Sequence, residues 1–401
     1  MFKNKSELIK PCIIGLGYVG LPILVNLSKK YKTSGYDINK KRIIELKKGI
    51  DIFGEFKKNN FGNKAVFQSN LNKVSSSNLF IVTVPTPIFK NKKPDLSHIK
   101  KVCIDISKIV KKGDIIIFES TVYPGVTENI CIPIIEKNCA LKNGKDFFVG
   151  YSPERVNPGD RKHQLNKINK ILAYPYNYKK KYLLKLYSLI AKKIILTENI
   201  KEAETAKVIE NIQRDVNIGL INEIFLACKN LNLNHDNILK LASTKWNFLK
   251  FEPGLVGGHC LPVDPYYFSY ICKKKKFNTR IALAGRYIND QMAYFVRDII
   301  KLKLKKLKLS KKSKILLCGL SYKKNVADLR NSLAYKIFKM MKNKYVNGYD
   351  PLIDKITAKK NGLITNKEKL KKFDFYVILT EHDVIKKILS KINSNKIILP
   401  L

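Results

Sequence analysis

Arginine is scarce in this chain of 401 residues. Of 77 basic residues only eight are arginine, which leaves 69 lysines, set against 32 Asp and Glu for a net charge of +45. Arginine is the side chain that forks onto phosphates and reads base edges. Its scarcity counts against nucleic acid as a partner despite the charge. So does the lack of zinc spacing, of an aromatic-and-basic RNA-binding signature and of a recognition helix. The lysines are spread through every segment and are read as a solvated surface; a functional basic surface is the alternative, and an anionic small substrate would also benefit. Disulfide and zinc frameworks are missing too. The eight cysteines, at 12, 103, 131, 139, 228, 260, 272 and 318, form no CxxC. Most lie in apolar runs such as "ILLCGL", the pattern of reduced thiols in a cytoplasmic protein. No apolar stretch reaches the ~18 residues of a membrane span. The N-terminal "PCIIGLGYVGLPILVNL" follows Lys3, Lys5 and Lys10, but its spaced glycines and lack of a small-x-small cleavage site argue against a signal peptide.

What is present is alternation. "CIIG" reads as a strand, residues 18–30 as a helix and "KTSGYDIN" as a second strand. "LFIVTVPTP", "DIIIFESTV" and "FFVGYSPERV" follow, each β-branched or aromatic and each ending in polar or proline residues. Such text predicts a doubly wound parallel sheet with ligands at the carboxyl ends of its strands. From residue 198 a long periodic helix lacks glycine and proline as far as Gly219, and helical text returns over 279–306. Strand–turn–helix text restarts at "KKSKILLCGLSYKKN". The expectation is α/β, with two Rossmann-like doubly wound domains joined by a long-helix middle domain. The boundaries are 1–197, 198–306 and 307–401, with the lysine-rich 301–314 as the second junction.

"GLGYVG" places Gly15, Gly17 and Gly20 at GxGxxG spacing between a strand and a helix, and Asp37 ends the next strand. The first glycine makes the turn, the second admits a pyrophosphate and the third lets helix pack on strand. The helix N-terminus then presents free N–H groups to phosphate. Asp37 would accept from a ribose 2′-hydroxyl and repel a 2′-phosphate, so the cofactor expected is NAD, not NADP.

A second constellation surrounds Cys260 in "EPGLVGGHCLPVDP". A free cysteine is usually a small buried hydrophobe, but Gly254, Gly257 and Gly258 would let this loop bring backbone and thiol close to a ligand. A thiolate suits an NAD enzyme that must oxidise an aldehyde onward, through a thiohemiacetal to a thioester that water hydrolyses. Asp264 would suit as an acid–base partner, and His259 is either an activator of the thiol or structural. On the helix "EAETAKVIENIQRD", Lys207 and Asn211 share a face with Glu204 and Asp215 nearby. That face is either a solvated polar stripe or a lysine and an amide aimed at an oxyanion.

These motifs occur in the order "GLGYVGLP", "VPTP", "ESTVYPG", "SPERVNPGD", "AETAKVIEN", "GLVGGHCLPVDP", "GRYINDQM" and "SYKKNVADLRNS". Over nearly its full length the chain resembles the UDP-glucose/GDP-mannose dehydrogenases. The resemblance implies oxidation of the 6-hydroxymethyl of a nucleotide sugar to a carboxylate with two NAD+ and no metal, for polysaccharide precursors. It makes Cys260 the nucleophile, Lys207 and Asn211 the oxyanion stabilisers and Asp264 a proton-transfer group. Thr121 and Glu154 would lie at the nicotinamide end, with Glu154 positioning or activating water. Tyr18, Val19, Arg42, Pro85 and Thr86 join the glycines and Asp37 as cofactor residues. Arg155 and Gly257 would line the sugar site, and Lys323 and Arg330 would reach the nucleotide-sugar phosphates. Arg286 is similar to an arginine lent across a homodimer interface. "SPERVNPGD" and "TKWNFLKFEPGLVGGHC" look more like the UDP-N-acetylhexosamine branch than the UDP-glucose branch, which is the alternative. A dehydrogenase of small hydroxy acids would need neither the cysteine nor the last domain. Members of the family it resembles usually continue past the strand "KIILPL", so the last domain is expected to be trimmed or atypical.

Overall fold

Four short apolar runs build the centre of the first sheet: β1 (Pro11–Ile14), β4 (Leu79–Val82), β5 (Ile115–Phe118) and β6 (Phe148–Tyr151), every residue of them buried. A strand covered by helices on both faces has no solvent side, so its text is continuously apolar instead of alternating. β2 (Thr33–Tyr36) and β3 (Ala65–Gln68) extend the sheet on one side, β7 (Asn169–Ala173) and β8 (Lys193–Thr197) on the other. The order is β3-β2-β1-β4-β5-β6-β7-β8. All neighbours are parallel except β6 and β7, which meet antiparallel at Tyr151 and Ala173. The chain order reverses between β1 and β4, so the loops after these strands open at the switch point where such sheets bind ligands. α1 (Gly20–Ser28), α2 (Lys40–Lys47), α3 (Ser97–Ser107), α4 (Ile132–Asn138) and α5 (Lys180–Tyr187) complete this part. This computed structural model describes residues 9–52, 56, 61–156, 160, 164–307, 312–366, 370, 372–390, 392 and 394–399.

The helical stretch comprises α6 (Ile200–Asn230), α7 (His235–Ala242), α8 (Asp264–Lys274) and α9 (Arg280–Lys306). A second, parallel sheet of order β10-β9-β11-β12 follows. It is built from β9 (Ile315–Cys318), β10 (Val346–Tyr349), β11 (Phe375–Ile378) and β12 (Ile397–Ile398), with α10 (Leu333–Met341), α11 (Lys355–Lys360) and α12 (Asp383–Leu389).

Three segments were expected, and they pack as two compact units, one ending at Ile209 and the other beginning at Glu210, inside α6. The helical stretch shares an apolar core with the C-terminal sheet. Met292, Val296 and Ile300 of α9 and Phe225 of α6 share one apolar cluster with Leu317, Ile337 and Phe338 of the C-terminal sheet and its helix. A helix pair alone cannot cover its own apolar stripe, so it merges with the next layer. Residues 308–311 of the expected junction lie outside the described residues.

Candidate active site

In the first unit the glycine turn joins β1 to α1. Gly15 has φ +93°, and a Cβ on Gly20 would lie 1.9 Å from the Gly15 carbonyl oxygen. The helix expected from Tyr18 therefore starts two residues later, at Gly20, once that close approach is complete. Val19 at the N-cap offers no side-chain bond to the first turn of α1, in which Leu21 donates to the Gly17 carbonyl at 3.2 Å and Pro22 carries no N–H. A Cβ on Gly17 would meet no protein atom within 4 Å. The space there is open to a ligand, and the residues fit a dinucleotide. Asp37 directly follows β2 and accepts the N–H of Leu16 at 2.8 Å, which sets its carboxylate beside the turn. Arg42, expected to touch the cofactor, braces the turn from within the protein. Its side chain is buried, donating from Nε to the Leu16 carbonyl (3.1 Å) and from Nη2 to Asp51 (2.8 Å).

The loops after β4 and β5 are joined by the Thr86 hydroxyl donating to the Thr121 carbonyl at 2.5 Å and the Ser120 hydroxyl donating to the Val84 carbonyl at 2.7 Å, with Pro85 exposed beside them. The same β5 loop is tied to the start of α6. Glu204 accepts the N–H groups of Gly125 (2.5 Å) and Thr127 (2.9 Å), and burial pushes its carboxyl up to about 7. Lys207 lies three residues further along this helix and is 4% exposed. After β6, Glu154 is buried with its carboxylate turned onto the Val156 N–H, and Arg155 donates to the Asn169 carbonyl at 3.2 Å. Residues 157–159 of that motif lie outside the described residues.

In the second unit Cys260 is half-buried, whereas Cys228 and Cys318 are buried. Its carbonyl accepts the N–H groups of Val263 and Asp264, both at 2.9 Å, so the cysteine sits in the turn that launches α8. Asp264, the first residue of α8, is buried and accepts from the Asn211 amide at 2.6 Å. The positive end of α8 favours anionic chemistry at this turn.

Behind Cys260 the loop is clamped by residues that sequence reasoning missed. His259 Nε2 lies 2.7 Å from Asp328, and Asn331 donates to the Gly258 carbonyl at 2.9 Å. A Cβ on Gly257 would lie 2.7 Å from the Asn331 carbonyl oxygen, and one on Gly258 (φ +94°) 2.7 Å from the Tyr322 ring. Burial would raise the Asp328 carboxyl, but the bonds from His259 and Arg330 outweigh it and hold it well below the carboxylate range. Arg330 is exposed and reaches Asp328 through Nε and Nη2, the latter at 2.7 Å; Lys323 is half-buried on the same segment. At the loop's other end Asn222 donates to the Gly254 carbonyl (3.1 Å) and accepts its N–H (2.8 Å). Helical spacing could have found Asn222, since it continues the stripe Lys207, Asn211, Asp215. Nothing local could have found Asp328 or Asn331.

The stripe itself is interior. Glu204, Lys207, Asn211, Asp215 and Asn222 are all buried, which rules out the solvated alternative. Arg286, expected to be lent across a homodimer interface, is 0% exposed in this chain, 2.6 Å from Asp215 and 3.2 Å from Asp290. Asn289 completes the group with a 2.8 Å bond to Asp215.

Comparison with known proteins follows the same division of labour. Residues 9–190 match the NAD binding domain of the UDP-glucose/GDP-mannose dehydrogenase family, 201–291 its central domain and 316–400 its UDP binding domain. The chain is 44% identical over 354 residues to a UDP-N-acetyl-D-glucosamine 6-dehydrogenase of Pseudomonas aeruginosa, covering 86% of this chain and 83% of that one. It is 40% identical over 387 residues to the enzyme of that name from Salmonella typhi, covering 94% and 91%. A solved UDP-D-ManNAc dehydrogenase from Pyrococcus horikoshii superposes with a TM-score of 0.83 at 30% identity, covering 97% of this chain and 93% of the other. The glycine turn with Asp37, the clamped cysteine loop and these full-length matches lead to one conclusion: the chain belongs to the UDP-glucose/GDP-mannose dehydrogenase family, NAD-dependent oxidoreductases of nucleotide sugars.

Proposed function

We propose that this protein oxidises the C6 hydroxymethyl of a UDP-N-acetylhexosamine to the carboxylate in two successive two-electron steps. The observation that carries the reading is Cys260, a half-buried thiol at the head of α8 on a loop clamped from both ends. The names of the relatives from Pseudomonas, Salmonella and Pyrococcus support an acetamido sugar.

The turn from Gly15 to Gly20, including Tyr18 and Val19, would hold the pyrophosphate of NAD, and Asp37 the adenosine ribose. Pro85, Thr86 and Thr121 would flank its nicotinamide end. NAD+ bound there would supply the hydride acceptor for both oxidations at C6. The Cys260 sulfur adds to the aldehyde carbon produced by the first, and the ammonium of Lys207 and the amide of Asn211 stabilise the oxygen anion as the C–S bond forms. After the second oxidation the sugar is a thioester. Water then attacks C6, the C–S bond breaks and sulfur leaves as thiolate, while Glu154 and Asp264 handle the proton. Lys323 and Arg330 would hold the diphosphate, with Gly257 and Arg155 lining the sugar site. No helix among the described residues is long and apolar enough to cross a membrane. The cysteines buried in apolar runs support a reducing, cytoplasmic setting, and the functional unit proposed is a homodimer.

The test is NADH released per sugar consumed. UDP-N-acetylglucosamine, UDP-N-acetylgalactosamine, UDP-N-acetylmannosamine and UDP-glucose are supplied separately with excess NAD+. Two NADH per acetamido sugar is the expected result. Two with UDP-glucose alone would move the substrate assignment, and one with every sugar would remove the covalent mechanism.

A further inference from the structure

Two lysines are buried among the described residues, Lys207 at 4% exposure and Lys170 at 2%. The proposed oxyanion site uses the first. Lys170 lies on β7, and an ammonium so placed is strongly disfavoured unless it is paired and hydrogen-bonded. It is both. Its Nζ donates to Glu119 Oε2 at 2.6 Å and to the Pro153 carbonyl at 3.0 Å. The other Glu119 oxygen accepts from the Tyr187 hydroxyl at 2.9 Å, and the Glu119 side chain is fully buried. Burial, and secondarily the neighbouring Glu119 carboxylate, raise the Tyr187 hydroxyl well above the usual tyrosine range, so it remains a donor.

The position of this pair gives it meaning. Glu119 follows β5 and stands two residues before Thr121; Pro153 follows β6 and stands immediately before Glu154. The two strands are already paired from Ile115–Phe148 to Phe118–Tyr151, so their packing does not call for a charge here. Apolar residues of similar volume would fill such a place with equal or better stability. What they could not supply is a bond from a fixed cation to the carbonyl next to Glu154. Ser152 is held on the same side, its hydroxyl donating to the Ile171 carbonyl at 2.7 Å.

We infer that Lys170 is a positioning residue that, through Pro153, aims the Glu154 carboxylate at the water that releases the product; the inference rests on the proposed roles of Cys260 and Glu154. In that step an oxygen–C6 bond forms, the C6–sulfur bond breaks, Glu154 takes the water's proton and Cys260 is left as thiolate. No electron is transferred. Loss of Lys170 should therefore slow hydrolysis while both oxidations proceed.

Lys170→Met alone would strand the buried Glu119 charge and endanger folding, so the informative variant is Lys170→Met/Glu119→Gln. It removes both charges and keeps an oxygen for Tyr187. With NAD+ and the UDP-sugar turned over best, it should release a burst of about two NADH per subunit. A steady state about tenfold or more below wild type should follow, with KM values little changed. Mass spectrometry of acid-quenched protein should find the uronyl group on Cys260. Glu154→Gln, run in parallel, should trap the same adduct. If only Glu154→Gln traps it, or if the double variant loses the burst and raises both KM values as a loosened fold would, the inference is overturned. If neither variant traps an adduct, the roles of Cys260 and Glu154 fall, and the inference with them.

Discussion

Gly258 measures how little freedom the loop of Cys260 has. Its φ of +94° disfavours any side chain, and the Tyr322 ring fills the space a Cβ would need. Gly258→Ala should destabilise the protein by about 1–3 kcal/mol and lower kcat about tenfold or more by displacing Cys260. Thermal denaturation and steady-state kinetics would read both effects. Adding Tyr322→Ala should return the part due to the clash and none of the part due to the backbone; wild-type behaviour of Gly258→Ala would mean the loop is not held as described. Cys260 was legible because glycines, a histidine and prolines surround it in one short stretch. Asp328 was not, since a single aspartate 69 residues from His259 carries no mark of its partner.

At the scale of elements, α6 shows what periodicity says and what it omits. Spacing puts Glu204, Lys207, Asn211 and Asp215 on one face, but a solvated polar stripe would read identically. Burial is set by what packs on that face, and it shows in the titration of Glu204. Desolvation raises this carboxyl from 4.5 to about 7, against the pull of the Gly125 and Thr127 N–H groups. The folded state therefore keeps a proton that the unfolded chain releases over that range. The stability this confers is present below pH 4.5 and is lost as pH rises toward 7. Asp215, raised by burial from 3.8 to about 6 even beside Arg286, acts in the same direction. Glu204→Gln cannot titrate, so the stability gap between wild type and variant should narrow as pH rises through this window. Urea unfolding at several pH values would follow it; a constant gap would mean the Glu204 carboxyl titrates normally.

For the whole molecule, Arg286 separates an assembly from a chain. It pairs with Asp215 and Asp290 of its own chain. Arg286→Ala leaves Asp215 buried without its cation, a change that costs about 3–5 kcal/mol in comparable buried pairs. The variant should be destabilised by itself in urea, and mixing it with Cys260→Ser should restore no activity. Recovery in the mixture would instead place Arg286 in a site shared between subunits. The lysine excess acts at this scale as well. It determined the net charge, and it hid Lys170, because one buried lysine among 69 looks like all the others until its surroundings are known.

The chain's own text determined whatever depends on neighbours in sequence. Apolar runs of four made the buried strands, glycine spacing made the turn into α1 with Asp37 beside it, and i, i+4 spacing aligned Lys207 with Asn211. Tertiary structure alone decided which polar groups lie in the interior and who their partners are. Lys170 with Glu119 and Pro153, His259 with Asp328, and Arg286 with Asp215 each join residues 17 to 71 positions apart. The reason is physical. A strand or turn is selected by local backbone energetics and the side-chain period, whereas a buried charge is tolerated only where the packed fold delivers its counter-charge and hydrogen bonds.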